Sequence, residues 1–175
     1  VRDAIDKIKD TAYSHERCSI IEVMGNRAGY IALNCAIACG AEACILPDRP
    51  LDIDADVIQP IIGCRNRGKK HYVIIVAEGV GKTNEIAARI RETVGIKPYI
   101  SVLGYLQRGG TPSVRDRVTA SLMGVKAVEL LKAGVTNQVI AVKGSDIAGI
   151  DLEKALTMRK TIDEHTILAS KILSL

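Results

Sequence analysis

The sequence predicts an α/β fold, a mostly parallel sheet with helices on both faces in the manner of a Rossmann-like lobe. Three observations carry that reading. Short apolar runs alternate with stretches of helical period along the whole chain, the pattern of strand–helix–strand units. The strongest run, "HYVIIVA" at 71–77, is apolar without alternation, as in a strand buried on both faces. The chain has no Phe and no Trp. Its core must therefore be built from Ile, Val, Leu and Ala, a composition suited to parallel strands and closely packed helices.

The elements follow in order. The chain opens at Val1 already in a helical pattern, which raises the expectation of a further N-terminal portion. "CSIIEV" (18–23) reads as a strand and "AGYIALNCAIAC" (28–39) as a buried helix with small or apolar residues on nearly every face. "ACIL" (43–46) is a short strand stopped by Pro47. Residues 54–67 read as a helix, and 71–77 as the central strand. "NEIAARIRETV" (84–94) is an amphipathic helix with Ile86, Ile90 and Val94 on one face, ended by Gly95. "YISVL" (99–103) is a strand. A long helix is expected next, with Thr111 as its N-cap, Pro112 at its first position and Gly134 at its close. Val114, Val118, Leu122, Val125 and Leu131 recur along it at three-to-four spacing. "QVIAV" (138–142) is a further strand, and 151–175 holds two short helical patterns. No repeat or low-complexity segment appears.

Length and composition bound the function. The chain has 175 residues, a net charge of +4 and 47% hydrophobic residues, enough for one domain or one lobe of a larger enzyme. The basic residues are dispersed and the five aromatics are all Tyr, which argues against nucleic-acid binding. No signal peptide and no apolar run of membrane-spanning length is visible. Five cysteines with no CxxC pair read as buried free thiols in a reducing cytoplasm, not as a zinc site.

"AEGVGKTN" (77–84) ends in the triplet of a phosphate-binding P-loop. That loop needs a glycine five residues before the Gly of Gly-Lys-Thr, and position 76 is Val. The stretch is therefore read as a turn, with Thr83 capping the helix. Glu78, at the carboxyl end of a strand, is the residue placed for a ligand. Its carboxylate can accept hydrogen bonds from sugar hydroxyls. "EVMGNRAGY" (22–30) runs from a strand through Gly25 into a helix, a natural anion position, with Arg27 adding charge. "GYLQRGGTPSVRDR" (104–117) places Arg108 after a strand and Arg115 and Arg117 in the first turns of a helix. Arg108 is the best single phosphate ligand, because a guanidinium offers paired donors. "RNRGKKH" (65–71) concentrates Arg65, Arg67, Lys69, Lys70 and His71 and reads as a second phosphate pocket or as a solvated face.

In order and spacing, "SHERCSIIEVMG", "IALNCAIACGAEACILP", "GKKHYVIIVAEG" and "SVLGYLQRGGTPSVRDR" resemble the C-terminal half of bacterial-type 6-phosphofructokinases, over nearly the whole chain. The resemblance implies transfer of the γ-phosphoryl group of ATP to fructose 6-phosphate with Mg2+ in glycolysis, by a cytoplasmic, allosteric homotetramer. It implies that residues 1–175 are a sugar-phosphate- and effector-binding part, without the N-terminal ATP-binding part. By motif, Arg17 resembles the arginine that reaches a neighbouring subunit's sugar phosphate, Met24 and Gly25 the pair lining the sugar, Glu78 the carboxylate on a sugar hydroxyl, and Arg108 the 6-phosphate ligand. An effector pocket for ADP or phosphoenolpyruvate would use Lys9, Arg67, Lys69, Lys70 and His71, with a magnesium near Gly40 and Glu42.

Three positions depart from the family pattern. Asn26 stands where Arg usually contacts the transferred phosphoryl group, and Arg27, one residue on in the expected helix, would be rotated by about 100°. Tyr105 stands in place of a histidine beside the sugar phosphate, and Tyr99 in place of a second cross-subunit arginine. Loss of one charge-assisted bond to phosphate would cost about 1.5–3 kcal/mol. The family's Gly-rich ATP loop and its magnesium-binding and base aspartates have no counterpart in these residues. The reading is thus a phosphofructokinase fragment, inactive alone. A non-catalytic regulatory module binding a sugar phosphate or nucleotide, and half of a pyrophosphate-dependent relative, stay open beside it. The C-terminal helix, about 163–174, is expected to pack poorly without the absent part.

Overall fold

The structure, a computed structural model, describes Val1 to Ser174. It divides into two compact units, Val1–Gly109 with Ile162–Leu175, and Gly110–Thr161.

The first unit is a four-stranded parallel sheet. Its strands are β1 (Cys18–Val23), β2 (Ala43–Ile45), β3 (Tyr72–Ala77) and β4 (Tyr99–Val102), in spatial order β2-β3-β1-β4. β1 and β3 are central, paired in register from Cys18–Tyr72 to Val23–Ala77. The side-chain period of two sorts the core. Cys18, Ile20, Tyr72, Ile74 and Val76 face Ile58, Ile61, Ile86 and Ile90, which come from the stretch 54–66 and from α4 (Thr83–Val94). Ile21, Val23, Val73, Ile75 and Ala77 face Ile5, Leu33, Ala36 and Ile167, from α1 (Arg2–Ser14), α2 (Tyr30–Cys39) and α7 (Glu164–Leu173). Helices therefore cover both faces of the sheet, as the apolar β3 run requires.

Several local expectations shift. The helix expected from 28 begins at Tyr30. Residues 25–28 instead form a turn in which the N–H of Ala28 donates to the carbonyl of Gly25 (2.8 Å), with Asn26 in the left-handed region at φ 52. Asn26 and Arg27 thus precede the helix, and a helical rotation between them does not apply. The 54–67 helix is one π-type turn, Asp54–Ile58, continued by α3 (Gln59–Asn66). In the C-terminal helix Ile167 joins the α2 side of the core and Arg49 pairs with Glu164, while Leu168, Ile172 and Leu173 are more than half exposed. No helix among the described residues is long and apolar enough to cross a membrane.

The second unit holds α5 (Val114–Lys132), the strands β5 (Gln138–Lys143) and β6 (Asp146–Asp151), and α6 (Leu152–Thr157). β5 does not extend the parallel sheet. It pairs antiparallel with β6 as a separate hairpin, closed by Gly144 at φ 65 and Ser145, a two-residue turn of the kind that favours tight hairpins. α5 is capped by Ser113, not Thr111. The Ser113 hydroxyl accepts from the N–H of Asp116, whose carboxylate accepts from the Ser113 N–H (2.9 Å), a reciprocal capping box. The Nε of Arg117 donates to the Pro112 carbonyl. Within this unit Val114, Val118, Leu122, Val125 and Leu131 are all more than half exposed.

Candidate functional site

Three loops leave the carboxyl ends of neighbouring strands in the first unit. They are 24–29 after β1, the turn Glu78–Val80 after β3, and the turn Gly104–Arg108 after β4. This is the end of a parallel sheet at which ligands bind. Side chains tie the three together. One oxygen of Glu78, Oε1, accepts from the backbone N–H of Asn26 (2.7 Å) and of Gly25 (3.0 Å). The Oε1 of Gln107 accepts from the N–H of Met24 (3.2 Å). The hydroxyl of Thr83, buried at the start of α4, donates to the Glu22 carboxylate on β1. Thr83 therefore braces β1 to α4 and does not cap the helix.

The loops also touch. A Cβ at position 79 would overlap the backbone carbonyl of Asn26, and one at 25 would overlap that of Ala28. Only glycine permits these approaches. The pair of N–H groups on Glu78 holds its carboxyl below the usual carboxylate range, Asn26 contributing most, then Gly25, with Arg108 acting in the same sense. The guanidinium of Arg108 lies over the Tyr105 ring, 5.2 Å from its centroid. Met24, Gly25, Asn26, Glu78, Tyr105 and Arg108 are thus assembled at one end of the sheet. Arg27 is exposed in the 25–28 turn.

Arg17 and Tyr99 lie elsewhere. Both stand at the amino ends of their strands, β1 and β4, roughly 17 Å along the sheet by strand rise. There the Arg17 guanidinium stacks on Tyr99, 4.6 Å from the ring centroid. With Lys7, Ser19 and Ser101 they border a cavity of about 340 Å³.

A second cluster forms at the amino ends of β2 and β3. Lys9 donates to the Cys39 carbonyl, beside Gly40. The buried Glu42 carboxylate takes the ammonium of Lys69 on one oxygen and the N–H of Val73 on the other. His71 meets the edge of Tyr13, with ring centroids 4.9 Å apart. Burial pushes the His71 pKa down, with Lys69 and Lys9 adding to the effect against Glu42. Arg67 borders a cavity of about 330 Å³ together with Glu42 and donates to the Cys64 sulfur (3.3 Å), while Lys70 pairs with Glu16 (2.8 Å). Each oxygen of Glu42 thus accepts one hydrogen bond, which leaves lone-pair capacity on both. Among the described residues no three His, Cys, Asp or Glu side chains converge in a metal-binding group. The five cysteines are free, and burial raises the thiols of Cys18 and Cys44 to about 12.

Gln107, Glu22 and Thr83 were not legible as site residues. Gln107 stands inside "YLQRGG", but nothing in the sequence says which loop its amide reaches. Glu22 is a lone acid in an otherwise buried strand, which is the available signal. The Gly-Lys-Thr stretch is a turn, with Gly81 left-handed and Lys82 paired to Glu85 (3.7 Å).

The phosphofructokinase family model matches residues 1–131. ATP-dependent 6-phosphofructokinase 1 of Clostridium perfringens is 48% identical over 164 residues, 94% of this chain and 51% of that protein. ATP-dependent 6-phosphofructokinase of Bacillus cereus is 46% identical over the whole chain, which covers 54% of it. The chain thus spans about half the length of the curated relatives it matches. The structure of phosphofructokinase from Saccharomyces cerevisiae superposes with a TM-score of 0.84 at 28% identity, covering 99% of this chain and 24% of that one. The Pichia pastoris enzyme in the T-state, 20% identical, shares the fold with a TM-score of 0.86. The match over three-quarters of the sequence, the two bacterial relatives and the shared fold agree: this chain belongs to the phosphofructokinase family.

Proposed function

We propose that this chain is the sugar-phosphate- and effector-binding half of an ATP-dependent 6-phosphofructokinase, which transfers the γ-phosphoryl group of ATP to fructose 6-phosphate. The observation that carries the proposal is the convergence of Glu78, Arg108 and the Met24–Asn26 backbone at the carboxyl ends of three strands. Arg108 offers paired donors to the 6-phosphate. Glu78, ionised and held through Oε1, keeps Oε2 to accept from a sugar hydroxyl. Met24 and Gly25 line the sugar between them. Phosphoryl transfer is catalysed mainly by positioning and charge neutralisation, and these residues do the positioning. Magnesium bound with ATP supplies the charge neutralisation.

Arg17 and Tyr99 sit at the far end of the sheet, which favours their serving a neighbouring subunit's sugar phosphate in a homotetramer. The cluster of Lys9, Gly40, Glu42, Arg67, Lys69 and His71 suits an anionic effector, ADP or phosphoenolpyruvate; a magnesium there would share Glu42 with Lys69. Cytoplasmic location follows from the same reading. The exposed stripe Val118, Leu122 and Val125 on α5 is a face for the N-terminal half to cover. The names of the bacterial relatives favour ATP over pyrophosphate as donor. Asn26, Tyr99 and Tyr105 keep a regulatory, non-catalytic role as the second reading. The test is to join this chain to the N-terminal half of the Bacillus cereus relative and measure fructose 6-phosphate binding. Arg108→Ala should weaken it about ten- to a hundredfold, the worth of one or two charge-assisted bonds. An unchanged affinity overturns the assignment. Normal binding with no turnover would select the regulatory reading.

A further inference from the structure

We infer that Gln107 is a positioning residue for the candidate site, locking the turn that carries Arg108 to the loop that carries Met24; this rests on the sugar-phosphate reading of that site. Its side chain is partly buried between the two segments. Oε1 accepts from the N–H of Met24 (3.2 Å), and Nε2 donates to the carbonyl of Gly104 (3.3 Å). Met24 N–H can only donate and Gly104 O can only accept, so a single orientation of the amide satisfies both. Gln107 thus reads as a cross-brace with both ends used.

The position of the brace gives it a consequence. The ladder between β1 and β4 ends where the N–H of Leu103 donates to the carbonyl of Glu22 (3.1 Å). Met24 lies just beyond, and its N–H is taken by a side chain. The next two N–H groups, of Gly25 and Asn26, go to Glu78. Three successive backbone donors are thereby held by side chains from the other two strand ends. Arg108 directly follows Gln107. The distance between a phosphate on Arg108 and a hydroxyl on Glu78 is then set through Gln107 on one side and the Gly25–Asn26 amides on the other. Without Gln107 the loop is held from the Glu78 side alone, and the Arg108 turn loses its tie to it.

The test is amide hydrogen exchange and amide chemical shift in the 15N-labelled 175-residue chain, with a fructose 6-phosphate titration. In the wild type the Met24 amide should exchange slowly. Gln107→Leu, similar in size and without hydrogen bonds, should speed it about two- to tenfold, the worth of one net hydrogen bond, and leave the Ile74 amide of β3 unchanged. Gln107→Glu keeps an acceptor for the Met24 N–H but loses the donor to Gly104, and should restore part of the protection, exchanging more slowly than Gln107→Leu. Met24 exchanging as an unprotected amide in the wild type, or equally in wild type and Gln107→Leu, overturns the inference. If Gln107→Leu does not fold, the wild-type rate and the Gln107→Glu rate decide. In the titration, Gln107→Leu should weaken fructose 6-phosphate several-fold and leave inorganic phosphate unaffected, since phosphate alone needs only Arg108. An equal effect on both ligands would overturn the inference. Wild-type amides blind to fructose 6-phosphate count against the site reading itself, while the exchange rates still judge Gln107.

Discussion

The backbone N–H of Asn26 donates to Oε1 of Glu78 at 2.7 Å, joining two strand ends separated by 52 residues of sequence. The same oxygen takes the N–H of Gly25. A left-handed Asn26 turns both groups towards it, a conformation that Asn tolerates better than most residues. Asn26 is therefore a residue that shapes the loop.

The approach of the two loops predicts the effect of Gly79→Ala. The added methyl meets the Asn26 backbone carbonyl, which cannot rotate aside as a side-chain tip could. Destabilisation of about 1–3 kcal/mol is expected, as for other overpacking changes. Denaturant unfolding should show a lower midpoint, and the Asn26 amide should lose protection from exchange.

Glu78 predicts a pH dependence. Its folded pKa is depressed by the two N–H groups, so the stability it contributes is present above the unfolded value, about 4.3. That contribution is lost as pH falls through the folded pKa. Glu78→Gln cannot ionise and lacks this term. The thermal midpoints of wild type and Glu78→Gln should differ most at neutral pH and converge as pH is lowered below 4. A constant difference across that range would contradict the cause given for the shift.

The parallel core was readable because its strands are nearly continuous apolar runs, and the β3 run shows fully buried residues throughout. The hairpin of the second unit was not. "IAGI" in β6 is too short and too small to stand out, although "KGSD" between the strands carries a turn signal. The start of α2 is hidden because "AGY" continues the apolar pattern into what is a turn. At the site, Glu78 and Arg108 were legible from their places after strands. The braces were not, because hydrogen bonds from side chains to distant backbone leave no periodic trace. Lys69, Lys70 and Arg67 form one run in sequence, but they take different partners: Lys69 the buried Glu42, Lys70 Glu16, and Arg67 the Cys64 sulfur.

His71 offers a reporter for the second cluster. Its pKa lies below the ordinary 6.5 because burial and the nearby Lys69 disfavour its charged form. The unfolded chain therefore binds the proton more readily. Stability should fall as pH drops from 6.5 through the folded value. A phosphate-bearing effector beside Lys9 and Lys69 would offset their charge and raise the His71 pKa. Nuclear magnetic resonance titration of its ring, with and without phosphoenolpyruvate, reads this directly. No upward movement with ligand present would argue against an anion site here.

The exposed stripe on α5 predicts a separation of effects. Val118→Ser and Leu122→Ser remove apolar area about half of which is in contact with water. In this chain alone they should change stability by no more than about 0.5 kcal/mol. When the chain is mixed with a separately expressed N-terminal half, each should weaken association roughly fivefold, from lost burial of the exposed half of the side chain, about 1 kcal/mol. Equal effects in both settings would show that the stripe serves this chain's own folding.

The most direct measurement is ADP formation from ATP and fructose 6-phosphate, with magnesium, by this chain alone and by the chain joined to a relative's N-terminal half. No turnover alone and clear fructose 6-phosphate-dependent turnover when joined is the predicted result. Robust turnover by the isolated chain, or a joined protein that folds yet neither binds fructose 6-phosphate nor consumes ATP, would contradict the account.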